Sequence, residues 1–377
     1  MITGGAGGVT MSSGGAGGAT MSTSSTTATL EVICNNVYEG SFTIANDADV
    51  QTITPYCAIT GDLTIALPAF SQLTLPNLLQ VLGKIDQQNE LSGLDLPVLQ
   101  VGSQIKVSAT FLKLPELTKL TGGMSEITSF GSIKLPKLKS AADLYFKPIG
   151  EVQVDVLESA GDVTVGSYNT SSTGLYMPEI VTLGALHLLN CSGLVLNNAL
   201  TAVTGTLSIY TYFLPSLLFP SLASVGGMNI DSNYPVSAPK LETVGSGGLT
   251  LGHTYDASFP KLVTIDGDLV LRGTALTSLN LPELTTVGTQ VWISGDNAAN
   301  PCMSGQFTGN SSLATLALPK LTHVGGAAND GPLLRGSTPV LPQCRWDALV
   351  TQLQTSGWTG MVKDDPQACP LAAGPCP

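Results

Sequence analysis

Charge is scarce in this chain of 377 residues. Only 11% are Asp, Glu, Lys or Arg, and 15 Lys+Arg stand against 27 Asp+Glu, a formal net charge of −12. Without clustered basic residues there is no counterion-releasing face for a nucleic-acid partner, and no polybasic dock for anionic lipid. No run of 18 or more apolar residues occurs, so no transmembrane segment is read. Cysteines spaced CxxC, an HExxH, a phosphate loop and a calcium-binding nonapeptide are all missing, and neither a metal nor another cofactor is expected.

What is abundant is glycine (42 residues) and proline (23), with many Leu, Val and Thr, in a chain that is 43% hydrophobic. That apolar content excludes wholesale disorder. Residues 1–29 are almost entirely Gly, Ala, Ser and Thr and read as a flexible linker, not a signal peptide. From about residue 50 a register P-x-L-x-x-V-x-G takes over. Its clearest copies begin at Pro76, Pro115, Pro220, Pro260 and Pro319, and weaker ones at Pro97, Pro136, Pro178, Pro239 and Pro282. In two more, Val154 and Asn198 stand where the Pro should be. A period near 21 residues held over ten intervals marks a solenoid, whose coils bury their apolar faces only against one another.

Within a coil the pattern alternates, as in Leu63-Thr64-Ile65 and Leu207-Ser208-Ile209, which puts one strand face in and one out. Proline closes a strand because it cannot donate to a ladder, and the glycine after it turns a corner. The expected fold is all-β: a right-handed parallel β-solenoid of about twelve coils of ~21 residues. The organisation reads as a linker over 1–29, an N-terminal disulfide cap over 30–60, repeats over 61–326 with an insertion at about 295–312, and a C-terminal cap over 327–377. In that last segment Trp346, Leu349, Val350 and Leu353 share a helical face. They predict a capping helix at about 343–355, ended by Gly357 and followed by a strand at about 358–362.

Seven cysteines leave at least one unpaired within the chain. Cys191 lies inside a coil and is read as a free, buried thiol. The other six sit toward the two ends, which suits disulfides and an oxidising compartment. Cys34–Cys57 is the first expected pair, worth about 3 kcal/mol in the chain-entropy picture. Cys344–Cys369 is the second, with Cys302 and Cys376 left over for a further pair.

The coils FPSLASVGGMNI, FPKLVTIDGDLVL, LPELTTVG and LPKLTHVGG, with the opening TPYCAITGDLTI after Cys34, resemble the leucine-rich receptor L-domain superfamily. They are most similar to fungal GPI-anchored cell-wall-organisation proteins and to related surface repeat proteins of bacteria; the likeness covers roughly residues 31–326. The ending LPQCRWDALVTQLQTSGWTG is more like the closing segment of myxobacterial surface repeat proteins, and the Gly-rich start resembles the tether behind a lipoprotein anchor. The resemblance implies a secreted or surface protein with a structural or recognition role, and it supplies no catalytic residues.

In a solenoid, groups converge only when they share a phase in adjacent coils. His187, His253 and His323 fall at different phases in distant coils, so no Ser/His/Asp or Cys/His site and no enzyme is expected. Tyrosines behave differently. Tyr212 and Tyr234 lie fourteen residues after Asn198 and Pro220, Tyr168 fourteen after Val154, and Tyr255 sixteen after Pro239, in a shifted coil. Such a column could stack a sugar ring or a partner's apolar patch; equally, the rings could merely cover a corner. Asn169, Asn190 and Asn310 begin N-x-S/T sequons. The expectation is a monomeric, non-catalytic, extracellular or cell-surface spacer or recognition module for a glycan or a surface protein. An ice- or surface-adsorbing solenoid is an alternative that wandering Thr positions and uneven coil lengths weaken. A polysaccharide-active enzyme, third, would want Asp clustered with Arg or Lys on one sheet.

Overall fold

A computed structural model describes residues 33–166, 173–196, 199–211, 216–273, 275–294, 313–335, 341 and 343–364. The linker expected over 1–29 and the insertion expected at about 295–312 lie outside them. The alternating sequence forms a parallel β-solenoid of about 12 turns of ~21 residues. Each turn lays down three short faces. On the first, Ser224-Val225, Thr243-Val244, Thr264-Ile265, Thr286-Val287 and His323-Val324 pair in succession. On the second, Met228, Leu249, Leu269, Val291 and Leu333 form one column. The third is broken into smaller sheets, as in Leu217, Val236 and Ala257. Leu249, Leu269, Val291 and Leu333 are fully buried, and each contributes on the order of 1.5–3 kcal/mol by leaving water.

Polar residues also enter this apolar stack, Ser125 and Gln87 among them. Ser125 pairs with Leu144 in the inward column and is fully buried. It is accommodated because its Oγ accepts a hydrogen bond from the Ile105 N–H at 3.1 Å. Gln87 accepts from the Ser108 N–H at 3.1 Å and donates to the Asn89 carbonyl at 2.7 Å, replacing a ladder contact with side-chain bonds.

Proline does more than close a strand. The Leu99 N–H donates to the Leu96 carbonyl at 3.3 Å, and Leu117, Leu222 and Leu284 repeat the bond to Leu114, Phe219 and Leu281. Pro97, Pro115, Pro220 and Pro282 are thus the second residue of a β-turn, where a fixed φ is pre-organised. The same bond from Leu157 to Val154, at 3.3 Å, corrects the expected register. Val154 begins that turn, and Asp155 occupies the proline's place. At the corner after the first face the turns nearly touch: a Cβ on Gly288 would lie 1.9 Å from the Asp266 carbonyl oxygen, so only glycine fits.

The ends carry two helices. Helix α1 (Asp47–Ile53) was not anticipated; Asn46 Oδ1 caps the Ala48 and Asp49 N–H groups, and Asp49 returns a bond to the Asn46 N–H. Its Ile53 is buried against the first turns. Helix α2 spans Gln343–Thr355, as expected, and buries Trp346, Leu349 and Leu353. Gly357 follows it at φ +87, the left-handed region that suits a helix end. The strand expected at 358–362 is instead Val362–Asp364, in register with Leu333–Arg335. Trp358 precedes it, buried, with Nε1 donating to the Gly331 carbonyl at 2.9 Å. Ladders therefore run past both ends of the expected 61–326 stack, from Phe42 pairing with Leu63 to Leu333 pairing with Val362. Cys34 and Cys57 are disulfide-bonded with Cα atoms 5.8 Å apart. Cys344 is also disulfide-bonded; Cys302, Cys369 and Cys376 lie outside the described residues.

Candidate functional site

The tyrosine column can be located from the ladders on either side of it. Asp231 pairs with Gly252 on the second face, and Val236 pairs with Ala257 on the third. The corner segments between them, 232–235 and 253–256, are therefore equal in length, and Tyr234 and Tyr255 occupy the same place on successive turns. Tyr255 is 58% exposed and Tyr234 half-buried. Tyr168 and Tyr212 lie outside the described residues. A third ring, Tyr210, was not anticipated: it pairs with Asp231 on the second face, is partly exposed, and accepts a hydrogen bond from Asn229 Nδ2 at its hydroxyl.

An imidazole–carboxylate pair lies at the same corner. His253 Nδ1 and Asp231 Oδ1 are 2.6 Å apart, each side chain about a quarter exposed (24%). Gly252 makes room for it, since a Cβ there would sit 3.3 Å from the Asp231 Cγ. His253 has φ +50, a left-handed conformation uncommon outside glycine, in which Asn, Asp and His are the enriched residues. The pair has the nitrogen–carboxylate orientation found in hydrolytic triads, but the neighbouring hydroxyls point inward. Ser232 and Thr254 are fully buried, and Thr254 Oγ1 donates to the Gly252 carbonyl at 2.9 Å. The other histidines lie elsewhere: His187 pairs with Thr164 and Ser208 on the second face, and His323 with Thr286 on the first. Arg272 pairs with Gly252, so Asp231 and Arg272 stand two turns apart in one outward column. That is a looser version of the acid–base stack that the sequence did not reveal.

Threonines are more orderly than expected on the first face. Ser140, Ser159, Thr182, Ala202, Ser224, Thr243, Thr264 and Thr286 pair in one continuous file. Uneven coil lengths are absorbed in bulges at the next corner, between Leu183 and Leu186 or Val203 and Thr206. The file is single, however. Of the residues that precede it in their turns, Thr201 and Thr285 carry hydroxyls, but Lys139, Glu158, Val181, Ala223, Glu242 and Val263 do not, so no continuous second row of hydroxyls lies alongside.

Cys191 is a free, fully buried cysteine. Burial pushes its thiol up to about 12, against a hydrogen bond to the Leu189 carbonyl that pulls the other way. Asn190, beside it, is exposed at the corner with φ +55; Asn169 and Asn310 lie outside the described residues. Among the described residues no group of three or more His, Cys, Asp or Glu is placed to hold a metal ion. None of their helices is long and apolar enough to cross a membrane. No protein-family model, curated protein or solved structure matches the chain.

Proposed function

We propose that the chain is a non-catalytic solenoid of the cell surface or extracellular space, working as a rigid monomeric spacer that carries a recognition corner for a glycan or a surface protein. The observation that carries this reading is the equivalence of Tyr234 and Tyr255 on adjacent turns, with Tyr255 58% exposed. A tyrosine offers a flat apolar body and a polar tip, and two of them one turn apart suit an extended ligand better than a point contact. The Cys34–Cys57 bond and the bonded state of Cys344 support an oxidising compartment. The resemblance to receptor L domains supports a surface role and a place in cell-wall organisation.

The test is retention on immobilised cell-wall polysaccharides and on immobilised surface-protein ectodomains, with Tyr234→Ala and Tyr255→Ala singly and together. The double variant is expected to lose at least about tenfold in retention while its stability changes by about 0.5 kcal/mol or less, as for other surface substitutions. Undiminished retention, or a large stability loss from Tyr255→Ala, would mean that the rings only cover the corner.

A further inference from the structure

The corner residue that follows the second face can be compared over four successive turns. Asn190, Thr211, Ser232 and His253 follow Leu189, Tyr210, Asp231 and Gly252, which pair one with the next. Thr211 and Ser232 are fully buried and continue their strands, whereas Asn190 and His253 turn left-handed, at φ +55 and +50. Asparagine and histidine are both among the residues enriched in that backbone region, which is nonetheless uncommon outside glycine, and such outliers gather where a side chain has a task. His253 spends the conformation on an outward pose: its ring meets the Asp231 carboxylate at 2.6 Å, two residues before the 58%-exposed Tyr255.

We infer that Asp231 and His253 form, with Tyr255 and Tyr234, a binding site for an uncharged hexopyranose glycan, the tyrosines taking the sugar's apolar face and the carboxylate–imidazole pair its hydroxyls. This rests on the recognition reading above and narrows it to one ligand class. Asp231 bonds the imidazole through Oδ1 and keeps about a quarter of its side chain (24%) in solvent, so the carboxylate has room to accept from a sugar hydroxyl. A carboxylate accepts only, and adjacent sugar hydroxyls supply two donors in the spacing its two oxygens present. Gly252 leaves the approach to Asp231 clear, where any Cβ would press on the carboxylate at 3.3 Å. Charge selects against acidic sugars. Asp231 and Asp256 stand at this corner with Arg272 as the nearby fixed cation, within a chain of net charge −12.

The test measures affinity of the full chain for cellohexaose, laminarihexaose, mannohexaose and polygalacturonate, using Asp231→Asn, His253→Asn and the Tyr234→Ala/Tyr255→Ala variant. Asparagine at 253 accepts the left-handed backbone, so His253→Asn separates loss of the imidazole from loss of the corner; thermal melting of each variant checks folding. Binding of at least one neutral hexaose, weakened at least about tenfold by Asp231→Asn and by His253→Asn with melting retained, is the expected result (about tenfold is one lost charged hydrogen bond). If only the tyrosine variant weakens binding, the polar half of the site is wrong and the recognition corner stands. Preference for polygalacturonate overturns the charge argument and with it this inference. If no hexaose binds, the inference fails, and the protein-partner arm of the recognition reading is then decided by the ectodomain retention above.

Discussion

Cys191 shows what a single buried position costs in this architecture. It lies within the stack, fully buried, with its thiol held up to about 12 from an ordinary 9.0. The sign of the pH effect follows from which state loses its proton first. Above pH 9 the unfolded chain ionises the thiol while the folded chain keeps it neutral, so this group's contribution is intact below pH 9 and declines toward pH 12. The slope is on the order of 1 kcal/mol per pH unit. Urea unfolding of the wild type and of Cys191→Ala across that range is expected to show the steeper alkaline decline in the wild type alone. Parallel declines would mean the thiol is accessible when folded. The sequence made Cys191 legible because it lies inside a coil, apart from the six cysteines toward the ends. It hid the Asp231–His253 contact, whose partners lie 22 residues apart. That separation is one turn, but with coil lengths varying by a residue or two, sequence phase cannot tell a contact from a near miss. The same one-residue ambiguity put Val154 in the proline's place where Asp155 stands.

The elements differ in how visibly they are encoded. Strand ladders were legible because Leu, Val and Ile recur at fixed distance from each Pro, and the β-turn from Leu96 to Leu99 explains the P-x-L spacing physically. Helix α2 was legible from Trp346, Leu349 and Leu353 on one face. Helix α1 has only 7 residues and one buried side chain, too little for periodicity; its signal was the reciprocal cap between Asn46 and Asp49. At the other end, Gln352 Nε2 donates at 2.8 Å to both the Leu318 and Leu321 carbonyls, which ties α2 to the turn after Leu318. Because turns touch only neighbours, damage there should stay local. Leu353→Ala, which empties a fully buried site, is expected to cost about 2–5 kcal/mol in the terminal turns. Hydrogen exchange should accelerate at 315–324 and 333–335 and stay unchanged at 58–65. Uniform acceleration would show a single cooperative unit instead.

At the scale of the molecule, about 12 turns spaced by the inter-strand distance make a stack on the order of 60 Å long. Its composition follows from that geometry. Low charge is affordable because outward strand positions carry Thr, Ser and Asn, and the few formal pairs, such as Glu116 with Lys137 and Glu283 with Lys320, tie one turn to the next at the surface. Such exposed pairs are worth well under about 1 kcal/mol each, so the apolar ladders and the backbone bonds between turns hold the stack. Under the proposed reading, ligand recognition falls to a corner that departs from the repeat, and among the described residues the corner carrying His253 and Tyr255 combines a left-handed histidine, a carboxylate bridging two turns and an exposed ring. Hydrogen exchange with and without a saturating neutral hexaose tests that claim most directly. Slowed exchange confined to residues 229–237 and 250–258 is the predicted result; slowed exchange elsewhere along the stack, or none at these two corners, would contradict it.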